Sequence, residues 1–229
     1  MPKVLISPDW VEVAMFLGDK YNPNFCNGGD AKVLESFRQF NTSEQFYRET
    51  EIYCYHGRAF FLEGIKRPYY AQLLNMTINA RPLTILDYGC GSGDDGIFFT
   101  QAGFYVGFAD IPSRSLEFTR WKLRRKLLPL PIYELGVDEI DEHYSIVWCM
   151  DVLEHIQPEK HTDFIRELKR YGDVVMMNFV SDPKADGELH HPVDSPALTE
   201  FIRENYDCET MDYYDGRVRL AVFKDKPNA

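Results

Sequence analysis

The stretch Ile85-Leu-Asp-Tyr-Gly-Cys-Gly-Ser-Gly93 restricts this chain more than any other, because it joins a short apolar run to a turn with glycine at every second position. Thr84-Ile-Leu-Asp has the β-branched, apolar character of a buried parallel strand. Gly89, Gly91 and Gly93 then allow a tight turn whose backbone can approach a ligand closely. At a strand's carboxyl end, such a turn is where open α/β sheets bind ligands.

Everything after Leu83 follows in register. The pattern predicts strands at 83–88, 104–110, 131–136, 145–150 and 173–180, with helices at 94–102, 114–127, 158–170 and 196–204. Alternation of this kind builds a parallel sheet covered on both faces. The end differs: 206–211 and 217–224 are strand-like runs separated by Asp212-Tyr-Tyr-Asp-Gly216, whose Asp-Gly favours a hairpin. Seven strands result, five parallel and a closing antiparallel pair. Residues 1–80 instead hold helix-like stretches at 30–40 and 43–65, rich in aromatics (Phe37, Phe46, Tyr47, Tyr53, Phe60, Phe61). They read as a helical cap, 1–80, before a core domain, 81–229. Either the cap packs on a sheet edge, or its aromatics and Arg58 close over a pocket in front of the sheet. Tyr21-Asn-Pro-Asn-Phe and Asn27-Gly-Gly-Asp are turns inside it, and Arg81-Pro82 breaks the last cap helix before the first strand.

Charge narrows the partners. A net charge of −11 repels a phosphate backbone, so no nucleic-acid partner is expected. The basic cluster Arg120-Trp-Lys-Leu-Arg-Arg-Lys126 reads as the solvated face of an amphipathic outer helix. The five cysteines are scattered and never spaced as CxxC, which suits a reducing cytoplasm and neither a disulfide framework nor a zinc site. No run has the length of a membrane span, so no membrane partner is expected. The oligomeric state is not legible.

The glycine turn has two readings. Gly91-Ser-Gly-Asp-Asp-Gly96 matches GxGxxG, and Asp110 lies near the spacing at which a dinucleotide fold places its ribose-binding acid. However, Asp87 stands before the glycines and Asp94 and Asp95 after them, and three carboxylates oppose a pyrophosphate on the helix N-terminus. A ligand with an ammonium group and no phosphate suits them better. S-adenosylmethionine has that ammonium, a sulfonium, a ribose diol and an adenine.

With these pieces in order, the sequence resembles the class I S-adenosylmethionine-dependent methyltransferases. Leu86-Asp-Tyr-Gly-Cys-Gly-Ser-Gly93 is similar to the family's DxGxGxG, Gly107-Phe-Ala-Asp-Ile111 to its ribose-binding strand end, and Tyr144-Ser-Ile-Val-Trp-Cys-Met-Asp-Val-Leu-Glu-His-Ile156 to its fourth strand and DVLEHI ending. The resemblance covers about residues 83–224 and implies a Rossmann-like seven-stranded sheet. It further implies that Asp87, Tyr88, Gly89, Cys90, Gly91 and Gly93 hold the methionine end of S-adenosylmethionine, Asp110 the ribose, Ile111 one adenine face and Asp138, ahead of Glu134, an adenine edge. Met150 and Asp151 then lie beside the methyl group. Ser145 stands where many members have Asp, which marks a structural difference at the strand start.

Methyl transfer from a sulfonium is an in-line displacement, so a base is needed only when the acceptor arrives protonated. His155 and His191, on loops opening on one face, are the candidate bases. Asp151, Glu154, His155 and His191 also have the donor types of a divalent-ion site, but the same segment occurs in metal-free relatives and no metal ligand is assigned. The expected function is methyl transfer to a small-molecule acceptor, oxygen preferred over nitrogen. The alternatives are an NAD-dependent oxidoreductase and a non-catalytic protein that binds S-adenosylmethionine.

Overall fold

The computed structural model describes residues 6–26, 30–78, 83–180, 189–191, 193, 195–214 and 218–227. Seven strands form one sheet: β1 (Thr84–Tyr88), β2 (Tyr105–Asp110), β3 (Ile132–Glu134), β4 (Tyr144–Cys149), β5 (Gly172–Val180), β6 (Tyr206–Tyr213) and β7 (Val218–Asp225). Their spatial order is β3-β2-β1-β4-β5-β7-β6, parallel from β3 through β5, with β7 antiparallel to both β5 and β6. The order reverses between β1 and β4, so the ligand crevice of this topology opens there, above the carboxyl ends of the strands. The turn predicted at Asp215-Gly216 and the break at Arg81-Pro82 lie outside the described residues, as does the Asn27-Gly-Gly turn.

The central strands are apolar on both sides because helices cover both faces. Along β4 the side chains alternate: Ile146 and Trp148 enter one core with Ile85, Val106, Phe108 and Phe99, while Val147 and Cys149 enter the other with Leu86, Val175, Ile165 and Leu168. Both layers are sealed. Ser145, at the opposite end from the crevice, ties the starts of β1 and β4 together, its N–H donating to Thr84 Oγ1 at 2.9 Å. The predicted structural difference is thus a local stitch, remote from any ligand.

The covering helices are α6 (Asp94–Gln101), α7 (Arg114–Arg125), α8 (His161–Tyr171) and α9 (Ser195–Asn205), each within a few residues of its predicted span. Ser113 caps α7, accepting from Leu116 N–H at 3.1 Å. β3 is shorter than expected, because the chain turns at Gly136, whose φ of +82° suits glycine.

Before β1 come α1 (Val11–Leu17), α2 (Asp30–Phe37), α3 (Ser43–Glu49), α4 (Ile52–Glu63) and α5 (Arg67–Thr77). The single helix expected over 43–65 is two, broken at Thr50-Glu51. Thr42 caps the first by accepting from Gln45 N–H, and Gly64 ends the second in a left-handed conformation. The α1 helix carried no sequence signal that was recognised. Val13 and Leu17 pack with Cys54, Tyr55 and Phe118, so α1 and α4 clamp onto α7. This contact corrects the reading of the basic cluster. Lys122 is not solvated: it is 1% exposed, and its ammonium lies 3.0 Å from Asp94 Oδ1.

Candidate active site

The β1 strand delivers Asp87 and then turns through Gly89, Gly91 and Gly93, whose φ angles are +74°, +51° and +67°. Only glycine holds three such angles cheaply. The N–H groups of Gly89 and Cys90 both donate to Ala109 O on the neighbouring strand, at 2.8 and 3.1 Å, which pins the turn to the end of β2. Gly93 packs against the methyl and hydroxyl of Thr119, and a Cβ there would fall 2.5 Å from Thr119 Cγ2. A Cβ on Gly91 would meet nothing within 4 Å, so its open side faces the crevice.

Asp110 ends β2 against this turn. Its Oδ2 accepts from Gly91 N–H at 2.6 Å and its Oδ1 from Ile111 N–H at 2.7 Å. Burial pushes its carboxyl up to about 6, against the pull of those two donors. Asp87, 3% exposed, accepts from Gly96 N–H at 3.0 Å. Burial first, and then the charge of Asp95, raises it well above the ordinary carboxylate range.

The acids after the glycines are neutralised from the N-terminal helices. Asp94 faces Arg58 at 2.9 Å and Lys122 at 3.0 Å, and although burial pushes it up, these cations hold it low. Asp95 receives Tyr70 Oη at 2.7 Å, Trp148 Nε1 at 3.1 Å and the Lys66 ammonium at 3.1 Å. Lys66 also reaches Asp151 Oδ2 at 3.1 Å; burial opposes its charge, but Asp95 and Asp151 outweigh burial and keep it protonated. Asp151, at a φ of +57°, is clamped by Asn178, which accepts from its N–H at 2.7 Å and donates to its Oδ1 at 2.6 Å. Lys66, Tyr70, Trp148 and Asn178 were not foreseen. Only the cluster of acids could have signalled that a buried cation was needed.

A cavity of about 1040 Å³ runs from the glycine turn to the N-terminal helices. Asp87, Gly89 to Ser92, Asp110, Ile111, Met150 and Asp151 line one part, and Tyr47, Tyr53, His56, Phe60, Lys66 and His155 another. Tyr88 lines the cavity at the turn, with its ring packed on Phe164 and Tyr171 and its hydroxyl donating to Glu167. Cys90 is buried, and burial raises its thiol well above its usual range.

Two predicted residues fall elsewhere. Asp138 is exposed and outside the cavity, with its Oδ2 accepting Glu134 N–H at 2.8 Å in the turn after β3, while Glu134 pairs with Arg120. Leu135 and Gly136 line the cavity there instead. His191 is exposed; its N–H donates to Glu154 O at 2.7 Å, and it is the preceding residue, His190, whose ring meets His155 at 4.8 Å. His155 is inside, with Nδ1 2.8 Å from Tyr47 Oη. Burial, and then His190, push it down to about 3, so it is neutral at physiological pH. Among the described residues, no group of three or more His, Cys, Asp or Glu is placed to hold a metal ion.

The family model described as a methyltransferase domain matches residues 85–172, from β1 through the fourth strand to the start of β5. The chain is 32% identical over 77 residues to the ubiquinone biosynthesis O-methyltransferase of Bordetella avium, covering 31% of this chain and 32% of that protein. Residues 85–172 thus carry a methyltransferase domain, and the matches together support a class I S-adenosylmethionine-dependent methyltransferase. Its cofactor is therefore S-adenosylmethionine, and the dinucleotide reading of GxGxxG is set aside. The chain is also 21% identical over 175 residues to hemagglutinin 1 of Eikenella corrodens, covering 74% of this chain and 58% of that one, so it spans about half or less of these relatives' own length. In fold it is similar to magnesium protoporphyrin IX methyltransferase from Synechocystis PCC 6803, solved with bound S-adenosylmethionine, at a TM-score of 0.58 and 17% identity, over 90% of this chain and 100% of that one.

The residues present fit such a cofactor. Each Asp110 oxygen takes one N–H and retains a lone pair for a ribose hydroxyl, and Gly91 presents a face that any side chain would fill. Ile111 and Leu135 line the apolar space for a flat base.

Proposed function

We propose that this chain transfers a methyl group to a small-molecule acceptor, with oxygen the favoured acceptor atom. The observation that carries the reading is the size and continuity of the cavity. At about 1040 Å³ it lies at the upper end of the usual range for ligand sites, roughly 300–1,000 Å³, and its lining runs from the glycine turn to the N-terminal helices, so a cofactor cradle and a second chamber share one space. The bound cofactor supplies an electrophilic methyl on sulfur. The chain's own residues bind, orient and dry the reactants.

In this reading Asp110 takes the ribose diol through two short charge-assisted hydrogen bonds. Gly89 to Gly91 carry the backbone against the methionine end, and Asp87 faces its ammonium, which lets the raised carboxyl ionise. Lys66 provides the counter-charge for the methionine carboxylate. Met150 and Asp151, at the end of β4, border the methyl's path. The N-terminal helices enclose the acceptor: Tyr47, Tyr53, His56 and Phe60 line the second chamber. This supports the reading of residues 1–80 as a cap over a core domain. The ubiquinone and protoporphyrin methyltransferases among the relatives favour an organic small molecule. Five free thiols support a cytoplasmic setting, and no helix among the described residues is long and apolar enough to cross a membrane.

Calorimetric titration with S-adenosylhomocysteine and with NAD, using Asp110→Ala as control, tests the cofactor cradle. Binding of S-adenosylhomocysteine that depends on Asp110, with none of NAD, is expected. A protein that binds it yet methylates no acceptor would be the non-catalytic alternative.

A further inference from the structure

Tyr47 on α3 and His155 after β4 stand 108 positions apart, yet both line the cavity, with Tyr47 Oη 2.8 Å from His155 Nδ1. A neutral imidazole carries one N–H and one lone pair, so this contact decides what its other nitrogen offers a ligand. Either Nδ1–H donates to Oη, or the hydroxyl donates to Nδ1. Leu189 O, the backbone acceptor beside the pair, is 3.4 Å from Oη, beyond the roughly 2.5–3.0 Å of a good hydroxyl donor. Nδ1 is therefore the better acceptor for the tyrosine proton, which leaves the ring hydrogen on Nε2. We propose that Tyr47 fixes His155 in its Nε2–H form, and that this N–H holds one oxygen of a flat aromatic carboxylate whose other oxygen receives the methyl group. The proposal rests on the methyltransferase reading above and names its acceptor class and the residues that seat it.

Position supports it first. His155 ends the single turn Leu153–His155, four residues after Asp151, which the reading above sets beside the methyl's path. The Tyr47 ring packs on Phe46 at 5.5 Å and Tyr53 at 5.4 Å, and the His155 ring meets Tyr47 at 5.0 Å and His190 at 4.8 Å. Both members are thus held before a ligand arrives, as a seat for a reacting group requires. Burial, and then His190, keep the imidazole neutral, which suits a donor and not a base. The wall continues in rings at steep angles, Tyr53 and His56 at 5.8 Å and 83°, and His56 and Phe60 at 4.4 Å and 86°. Their edges and faces accommodate a planar acceptor.

A donor in this place suits a carboxylate better than a hydroxyl. A hydroxyl has a single oxygen, and a hydrogen bond given to it draws on the electron pairs that must attack the methyl carbon. A carboxylate only accepts and has two oxygens, so one is gripped while the other stays available. The charges around His155 agree. Asp151 is paired with Lys66 and clamped by Asn178, and burial pushes Glu154 up to about 8, so neither opposes an entering anion at neutral pH. Lys66 stays with its two acids and the methionine carboxylate. Lys160, five positions after His155, is exposed, lines the cavity and has no ion pair among the described residues, so its cation is available to an acid on its way in. In the step, an electron pair of the ungripped oxygen forms the bond to the methyl carbon as the carbon–sulfur bond breaks, its pair staying on a neutral thioether. A methyl ester results. The carboxylate's charge and the sulfonium's charge vanish together, and no proton moves.

Two measurements test it. Nitrogen-15 NMR of the imidazole in the parent chain should show His155 as the Nε2–H tautomer, and Tyr47→Phe should shift it towards a mixture of the two. Methylation of 2-naphthoate and of 2-naphthol, which share one ring system, is then compared in the parent, Tyr47→Phe, His155→Gln and His155→Leu. Glutamine keeps an N–H near the place of Nε2 and cannot act as a base. The expected result is ester formation from 2-naphthoate at least about 100-fold faster than methylation of 2-naphthol. His155→Leu should lose about tenfold or more with 2-naphthoate, Tyr47→Phe a part of that, and His155→Gln should recover most of the loss. S-adenosylhomocysteine binding should be equal in all four proteins. If a variant does not fold, the parent's tautomer and its choice between the two naphthalenes decide. An Nδ1–H tautomer, equal losses in His155→Gln and His155→Leu, preference for 2-naphthol, or no ester formed by a chain that binds S-adenosylhomocysteine would overturn the proposal. Absence of S-adenosylhomocysteine binding would instead overturn the underlying methyltransferase reading.

Discussion

At the scale of single residues, the site turns on Asp110 and the glycine it holds. Asp110 has only two backbone donors and is buried, so its carboxyl rises to about 6, above the roughly 3.9 of an unfolded aspartate. Between those values the folded chain binds a proton that the unfolded chain has released, so this group's contribution to stability falls as pH rises through that window. A ribose diol donates and therefore favours the ionised form. The affinity for S-adenosylhomocysteine should accordingly increase through pH 6 and level off above it, which titration calorimetry between about pH 5 and pH 7.5 measures. Asp110→Ala should weaken binding by about 100-fold or more and abolish that pH dependence, since each charge-assisted hydrogen bond contributes about 1.5–3 kcal/mol. The glycines separate strain from collision. Gly91→Ala meets no atom within 4 Å and carries only the cost of a positive φ, so unfolding by denaturant should show a loss of about 1–2 kcal/mol. Its methyl would still enter the cradle and impair cofactor binding. Gly89→Ala adds a contact of 2.3 Å with Val152 Cγ2, and should cost roughly 3 kcal/mol or more.

At the scale of elements, the N-terminal helices supply the charges that the glycine turn lacks. Lys66, between α4 and α5, joins Asp95 at the start of α6 to Asp151 after β4. Lys66→Met keeps the stem and leaves Asp95 buried without its cation. Breaking such a pair costs about 3–5 kcal/mol, so the melting temperature should fall by roughly 10 °C in calorimetry. The double variant with Asp95→Asn should recover part of that loss. A cost equal to the sum of the two single variants would mean that the pair is not coupled. This dependence was hard to read from sequence. Strand β1, the acid-glycine turn and β4 were legible because apolar runs of that length, punctuated by glycine, have few other folds to enter. The cap was not, because its helices are short, and they are tied to the core by single cations that meet acids 29 to 85 positions away, as Arg58 and Lys66 do. Lys122 misled for the same reason: it stands in the basic run Arg120 to Lys126, but its helix face is covered by α1 and α4. His191 was misplaced by one position, since a loop has no period to say which of two adjacent histidines turns inward. Asp138 lay in a run of acids, where spacing alone could not show that its carboxylate closes a backbone turn.

For the molecule as a whole, the cavity is the joint between two bodies of packing. Its floor is the crevice between β1 and β4, and its other walls are Tyr47, His56, Phe60 and Lys66 from the helices before the sheet. Those helices are held by clusters that include Phe118 on α7 and Leu189 after β5, so they share side-chain packing with the sheet's own coverings. A ligand in the cavity therefore touches both bodies, and any opening of one against the other must release it. Ligand at about 100 times its dissociation constant stabilises the native state by about 2.7 kcal/mol. For a chain of this size that shift is about 5–10 °C. S-adenosylhomocysteine should raise the melting temperature by that amount in a single transition, and NAD should leave it unchanged. Two transitions, with only one of them moved by S-adenosylhomocysteine, would show that the N-terminal helices melt independently of the cradle. They could then not be the walls that hold an acceptor against it.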